Sequence, residues 1–379
     1  MPENQGTVSR RQILQTAALV APMINLGVTK AIAAGRTYST RCVDLVKRSI
    51  VIDMLSPVTL NLSEANWSRT LSDAEIEEYK QSGLTAIHQA AGFGGPEPFT
   101  AGLTWFAAWN GFVARNSEIF IGVGGVRDLE RAKSSGKVAV IMGAQNSEHF
   151  RTPADVKFFH GLGQRVSLLT YNSQNRIGSG STEREDGGVS EFGIAVIKAM
   201  NECGMLVDTA HCNDRTTLDG IEFSAKPIAI THADCRAINP ANPRTKTDEA
   251  IRKLAAKGGV MGISGVRMFV SAQEPTTIDN IVDHIDHVVK LVGIEHVGVG
   301  SDADLHGYDA LPASILDRMK ASEGPKYQFR DKVDIEGFNH PQKMFDLTEV
   351  LIRRGYTDSQ IEMILGGNWR RLLSEVWLS

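Results

Sequence analysis

The run Gly204-Met205-Leu206-Val207-Asp208-Thr209-Ala210-His211, followed by Pro227-Ile228-Ala229-Ile230-Thr231-His232, decides how this chain folds. Each is a short apolar stretch that closes on a histidine. A third run, His296-Val297-Gly298-Val299-Gly300-Ser301-Asp302, closes on an aspartate. A polar side chain at the end of a buried strand is costly unless it is paired or coordinated. Three such endings point to one site at one rim of a parallel sheet.

Working outward, a strand-like run followed by a helix-like stretch recurs along the chain. The strand candidates are residues 49–55, 84–89, 137–145, 165–172, 206–211, 228–232, 259–265 and 296–302. They are rich in Val, Ile and Leu without alternation, as strands covered on both faces are. Between them, Ile194, Ile197 and Met200 keep helical spacing before a stop at Gly204, and Ile281, Ile285, Val288 and Val292 do so before Gly293. Eight buried parallel strands with covering helices predict an α/β chain folded as a (β/α)8 TIM barrel. Its site would lie at the carboxyl ends of the strands, where His211, His232 and Asp302 fall. Residues 303–342 are rich in proline and charge and lack clear periodicity, and they read as a long excursion over the barrel mouth. Residues 34–379 would form this single domain.

The chain has 379 residues, 42% hydrophobic and 22% charged, with a formal net charge of −4. That composition is globular, and the charge indicates no nucleic-acid partner. Residues 1–33 read as a twin-arginine export signal. Arg10-Arg11 precedes the apolar stretch from Ala17 to Ile24, and Ala31-Ile32-Ala33 offers a cleavage site. The apolar stretch is too short for a permanent membrane span. A periplasmic location is therefore expected. Cys42, Cys203, Cys212 and Cys235 are read as small buried side chains, although Cys212 and Cys235 lie close enough to the histidines to line the site.

Two neutral imidazoles and a carboxylate form a common zinc set that leaves a position for water. A lone histidine is usually a hydrogen-bonded core residue, but here two His-terminated strands are consecutive and their ends are neighbours. Arg244, in the loop after the second strand, suits a substrate carboxylate or an oxyanion. The plainer alternative is a surface ion pair with Asp248.

These residues resemble the membrane (renal) dipeptidase family, metal-dependent peptidases of the amidohydrolase superfamily. The similarity runs from about Ile50 to the C-terminus. It rests on the segment from Gly204 to His211, on Thr231-His232-Ala233, on Gly300-Ser301-Asp302-Ala303-Asp304 and on Gly366-Gly367-Asn368-Trp369-Arg370-Arg371. The resemblance implies a metallo-dependent hydrolase barrel, a dipeptide-like substrate, and a homodimer. It implies a pair of metals sharing a bridging glutamate, with His211 and His232 on one metal, Asp302 serving the other, and Arg244 binding substrate.

The departures from that pattern are specific. Where the family has His-x-Asp on strand one, this chain reads Asp53-Met54-Leu55-Ser56-Pro57, so Leu55 and Pro57 stand at ligand positions. Gln145 replaces the bridging glutamate, and Tyr171 stands where a histidine is usual. His88 ends the second strand run and is a candidate replacement ligand; packing or facing substrate are its other roles. The expectation is an exported dipeptidase-like metallohydrolase acting on a small amide or peptide-like substrate. It would use Asp302, Arg244 and Tyr171, with metal at His211, His232, Gln145 and His88. At most one Zn2+ per chain is expected, and none is compatible with the same residues. Two alternatives keep the barrel: metal-independent acid–base chemistry by Tyr171, His88 and Asp302 on a secreted metabolite, or a non-catalytic binding protein.

Overall fold

A computed structural model describes residues 32–33, 36–323 and 327–378. The expected export signal lies almost wholly outside them. Eight parallel strands close into a barrel: β1 (Ile52–Asp53), β2 (Ala86–Ala91), β3 (Val138–Ala144), β4 (Gln164–Leu168), β5 (Leu206–Asp208), β6 (Ala229–Cys235), β7 (Val260–Ile263) and β8 (Val297–Val299). Neighbours in sequence are neighbours in space. The ring is closed between β8 and β1 by Val299 opposite Asp53, and between β5 and β6 by Asp208 opposite Ala229. The continuous apolar runs are explained by burial on both faces, with helices outside and side chains filling the interior.

The strand ends differ from those read in the sequence, and the difference matters for the site. β5 stops at Asp208, three residues before His211. Its carboxylate accepts the Ala210 and Thr231 backbone N–H groups at 2.9 and 3.0 Å, so the side chain takes over pairing that the strand would have continued. β6 runs on to Cys235, so His232 sits within a strand. β8 stops at Val299, and Asp302 follows in a left-handed conformation with φ 58°, a costly geometry for a non-glycine residue that clusters at functional sites.

The two ends of the barrel are chemically unlike. At the amino end the inner residues Ile52, Ala86, Ala139, Val166, Leu206, Ala229 and Val260 form an apolar cluster with Trp369, Leu372, Leu373 and Val376. The last four come from the C-terminal helix (Asn368–Val376), whose Trp369 Nε1 donates to the Val299 carbonyl at 3.0 Å. A Cβ at Gly298 would lie 2.4 Å from that nitrogen, so the indole is admitted only because position 298 has no side chain. At the carboxyl end the buried side chains are polar: Asp53, His88, His232, Asp234 and Ser301. The segment expected to be an excursion carries a helix (Ala313–Glu323). It is tied down by Asp334, whose carboxylate accepts the Tyr308 and Asp309 N–H groups at 2.9 and 2.7 Å.

All four cysteines are free thiols. Three are buried and Cys203 is partly so. Cys212 accepts a hydrogen bond from Thr170 at 3.2 Å.

Candidate active site

His211 and His232 come together at the mouth, with ring centroids 5.0 Å apart. Each is held by its Nδ1. His211 Nδ1 lies 2.9 Å from the Asn172 side-chain oxygen. His232 Nδ1 lies 2.8 Å from the Thr231 hydroxyl, whose own proton goes to Asp208. An acceptor at Nδ1 fixes the proton there and leaves Nε2 as a bare lone pair. His88 repeats the pattern, with Nδ1 2.9 Å from the Met54 carbonyl. All three Nε2 atoms are buried, and none has a hydrogen-bond partner among the described residues. Burial, and after it the charge of Arg244, holds His211 and His232 well below the usual imidazole range, so both are neutral. Tyr171 stacks on His211, with centroids 4.1 Å apart and planes 21° from parallel.

Arg244 is 1% exposed, which excludes a surface ion pair; Asp248 pairs instead with His287 at 2.8 Å. The guanidinium donates to the Ala210 and His232 carbonyls, and its Nε has no partner among the described residues. It therefore brings a buried positive charge to the two histidine segments, with no carboxylate of the described residues within ion-pair distance. Such a group calls for an anion. Lys246, two residues on, secures the His211 turn from beneath by donating to the Thr209 and Cys212 carbonyls at 2.8 and 2.7 Å.

Asp302 is half-buried, and desolvation of its carboxyl pushes it up to about 7, with the Arg244 charge opposing and the Asp234 and Asp53 charges reinforcing the shift. The Tyr308 hydroxyl is hydrogen-bonded to it. These groups surround a cavity of about 170 Å3 lined by Leu55, Pro57, Gln145, Tyr171, His211, Arg244, Asp302 and Tyr308. It is roofed by Met319, Tyr327 and Phe329 from the segment after β8. The volume is small beside the roughly 300–1,000 Å3 of pockets for drug-sized ligands. The arrangement joins an anion-binding guanidinium, a proton-exchanging carboxyl and two bare imidazole nitrogens under a largely apolar roof.

Of the residues expected from the sequence, the cavity brings together Gln145, Tyr171, His211, Arg244 and Asp302. His232 is not part of the lining, but its ring centroid is 5.0 Å from that of His211. His88 stands apart from the cavity lining, inside the barrel, where a Cβ on Gly143 would come within 2.0 Å of its Nε2. Cys212 and Cys235 do not line the cavity. Tyr308, Tyr327, Asn172 and Lys246 were not singled out by sequence. Tyr308 and Tyr327 lie in a segment without periodicity, and Asn172 acts through His211 and Lys246 through the Thr209 and Cys212 carbonyls on either side of it, which no local pattern announces.

The donor set decides how well a metal centre fits. Leu55 and Pro57 present hydrocarbon to the cavity. Near them the chain supplies its own buried cation, Lys343, 3.3 Å from Asp53 and bonded to the Ser301 hydroxyl at 2.7 Å. Neither Leu55 nor Pro57 offers a donor to a cation. Among the described residues no group of three or more His, Cys, Asp or Glu side chains is placed to hold a metal. The bare Nε2 atoms of His211 and His232 suit a cation, and Gln145 lines the same cavity as His211 with a neutral oxygen donor.

Residues 40–322 match the family model for membrane dipeptidase, peptidase family M19. The dipeptidase verJ of Clonostachys rogersoniana is 31% identical over 245 residues, 64% of this chain and 56% of that protein. The dipeptidase tcpJ of Claviceps purpurea is 27% identical over 66% of this chain and 53% of its own length. The matches thus span little more than half of these curated relatives. An amidohydrolase from Pseudomonas aeruginosa superposes with a TM-score of 0.76 at 29% identity, covering 89% of this chain and 99% of that one. The probable dipeptidase PvdM from the same organism, at 18% identity and a TM-score of 0.73 over 89% of this chain and 97% of that one, shares the fold.

Proposed function

This chain belongs to the membrane dipeptidase family, peptidase family M19, and we propose that it hydrolyses a small amide or peptide-like substrate bearing a carboxylate, with at most one metal ion. The observation that carries the reading is Arg244: a buried guanidinium that lines the cavity and, among the described residues, has no carboxylate in ion-pair distance and no partner for its Nε. A substrate carboxylate would supply the missing anion and fix the scissile bond beside His211 and Asp302. His211 and His232 would hold the cation, which when bound polarises the carbonyl as a Lewis acid. Asp302, with its carboxyl near 7, takes the proton of the attacking water and returns it to the leaving amine. Tyr308 steadies that carboxylate, and Leu55, Met319 and Phe329 keep bulk water from the reacting atoms.

The same Asp302 favours a second reading, acid–base chemistry without metal. A carboxyl near 7, bonded to Tyr308 and in the same cavity as Tyr171, is suited to moving a proton on and off carbon or oxygen.

Elemental analysis of protein purified without added metal, followed by assay against a dipeptide panel with zinc, manganese and cobalt in turn, separates the readings. We expect at most one equivalent of metal and weak turnover of simple L,L-dipeptides. Turnover near ~10 per second together with two bound equivalents overturns the reduced-metal reading. We further propose export through the twin-arginine route on the strength of Arg10-Arg11, and a dimer by analogy with the family.

A further inference from the structure

The opposite end of the barrel carries a second cavity, of about 490 Å3. Three helices wall it with their last turns: Thr40–Arg48, Asp73–Gln81 and Arg127–Ser135. Those turns carry Lys47, Lys80 and Lys133. Lys137 enters from the residue just before β3. No Asp or Glu is among the residues that line it, whereas the chain as a whole is acidic at −4.

The lysines are poorly compensated. Among the described residues no carboxylate lies within ion-pair distance of Lys47, Lys133 or Lys137, and Lys80 has only Glu118 at 3.4 Å. Lys133 is half-buried and its ammonium reaches only the Val46 carbonyl, at 3.4 Å. Burial alone lowers its proton affinity, with no anion opposing. Lys137 donates to the Ser117 carbonyl at 2.6 Å, which leaves two of its three N–H groups. Between the ammonium groups the wall is apolar, with Phe345 and the ring of Tyr79.

A plainer account is that each lysine offsets the partial negative charge at the end of its own helix, roughly half an elementary charge each. That explains why Lys47, Lys80 and Lys133 sit in last turns. It does not explain why four lysines from separate elements line one concave space that no carboxylate lines. After three helix ends and Glu118 are set against four lysines, the cavity remains positive.

We propose that this cavity binds a small organic phosphate, with the lysines on the phosphate and the apolar wall on the body of the molecule. Lysine serves such sites as a point charge that needs no fixed geometry. The source is either a soluble phosphate ester or the headgroup of an anionic lipid.

The test is calorimetric titration of the full chain with phenyl phosphate and with inorganic phosphate, at low and high salt. One site per chain is expected. Phenyl phosphate should bind more tightly than inorganic phosphate, and its affinity should fall as salt rises. Lys133→Gln with Lys137→Gln should weaken binding by at least about tenfold and leave hydrolytic turnover at the other mouth unchanged. The thermal midpoint of each variant controls for folding, and Lys47→Gln with Lys80→Gln on the exposed rim provides a second pair. Co-sedimentation with phosphatidylglycerol vesicles, competed by phenyl phosphate, assigns the ligand to lipid; binding of phenyl phosphate without vesicle binding assigns it to a soluble ester. No heat at millimolar phenyl phosphate, or equal affinity in wild type and both double variants, overturns the proposal.

Discussion

His211 Nδ1 and the side-chain oxygen of Asn172 lie 2.9 Å apart. That contact puts the imidazole proton on Nδ1 and leaves Nε2 bare, in a ring whose centroid is 5.0 Å from that of His232. It is the tautomer of a metal-ligating histidine whose other nitrogen is held by an outer partner. The relationship could not be read from a run that merely ends in histidine, because its partner lies 39 residues away and is itself shared with Tyr327.

If the two imidazoles hold the cation, His211→Ala and His232→Ala should each abolish metal retention through dialysis, measured by elemental analysis, while circular dichroism still reports a folded barrel. Asn172→Leu should weaken retention by about 10- to 100-fold, as loss of an outer partner does. Unchanged metal content in both histidine variants would move the site elsewhere.

On the resemblance to the family, Leu55, Pro57 and Gln145 are the residues expected to separate this chain from its metal pattern. Restoring the three with Leu55→His, Pro57→Asp and Gln145→Glu should add a second metal equivalent and raise dipeptide turnover by on the order of 10²–10³, the scale of one recovered charge-stabilising element. A triple variant with no added metal would mean that Lys343, 3.3 Å from Asp53, also has to be removed.

Arg244→Leu should raise KM for carboxylate-bearing substrates by about 10- to 100-fold, the loss of charge-assisted hydrogen bonds. It should have far less effect on substrates whose carboxylate is amidated. Equal losses on both substrate kinds would assign Arg244 to the oxyanion instead.

Asp302 gives a pH dependence with a definite sign. As a base it must be ionised, so kcat/KM should rise with pH to a plateau just above about 7. Asp302→Asn should remove that limb and cost about 10²–10⁴ in rate. Its folded pKa lies above the ordinary 3.8, so the folded state holds the extra proton between the two values. Stability attributable to this group is therefore lost as pH rises from about 4 through about 7. The variant's thermal midpoint should lack that decline. The neutral His211 and His232 act oppositely: below about 6.5 the unfolded chain takes up their protons first, so stability falls as pH drops.

Replacing Arg10 and Arg11 by lysine should leave an unprocessed precursor in the cytoplasm, seen by fractionation and mass. Normal export and cleavage of that variant would remove the twin-arginine proposal.

What the sequence determined by itself was the barrel. Uninterrupted apolar runs such as those before His211 and His232 can be satisfied only by strands covered on both faces, and eight of them separated by amphipathic helices close in one way. The rim residues Gln145, Tyr171, His211, Arg244 and Asp302 followed from being next to those runs. Tertiary structure alone decided their chemistry. It buried Arg244 instead of pairing it with Asp248, because the loop after β6 folds back onto the Ala210 and His232 carbonyls. It set His88 over Gly143 and off the cavity lining. It curled the segment after β8 so that Tyr308 reaches Asp302, and it brought Lys343 to Asp53 across most of the chain. Burial, charge proximity and the partner of each Nδ1 are relations between segments distant in sequence, and they exist only once the barrel has closed.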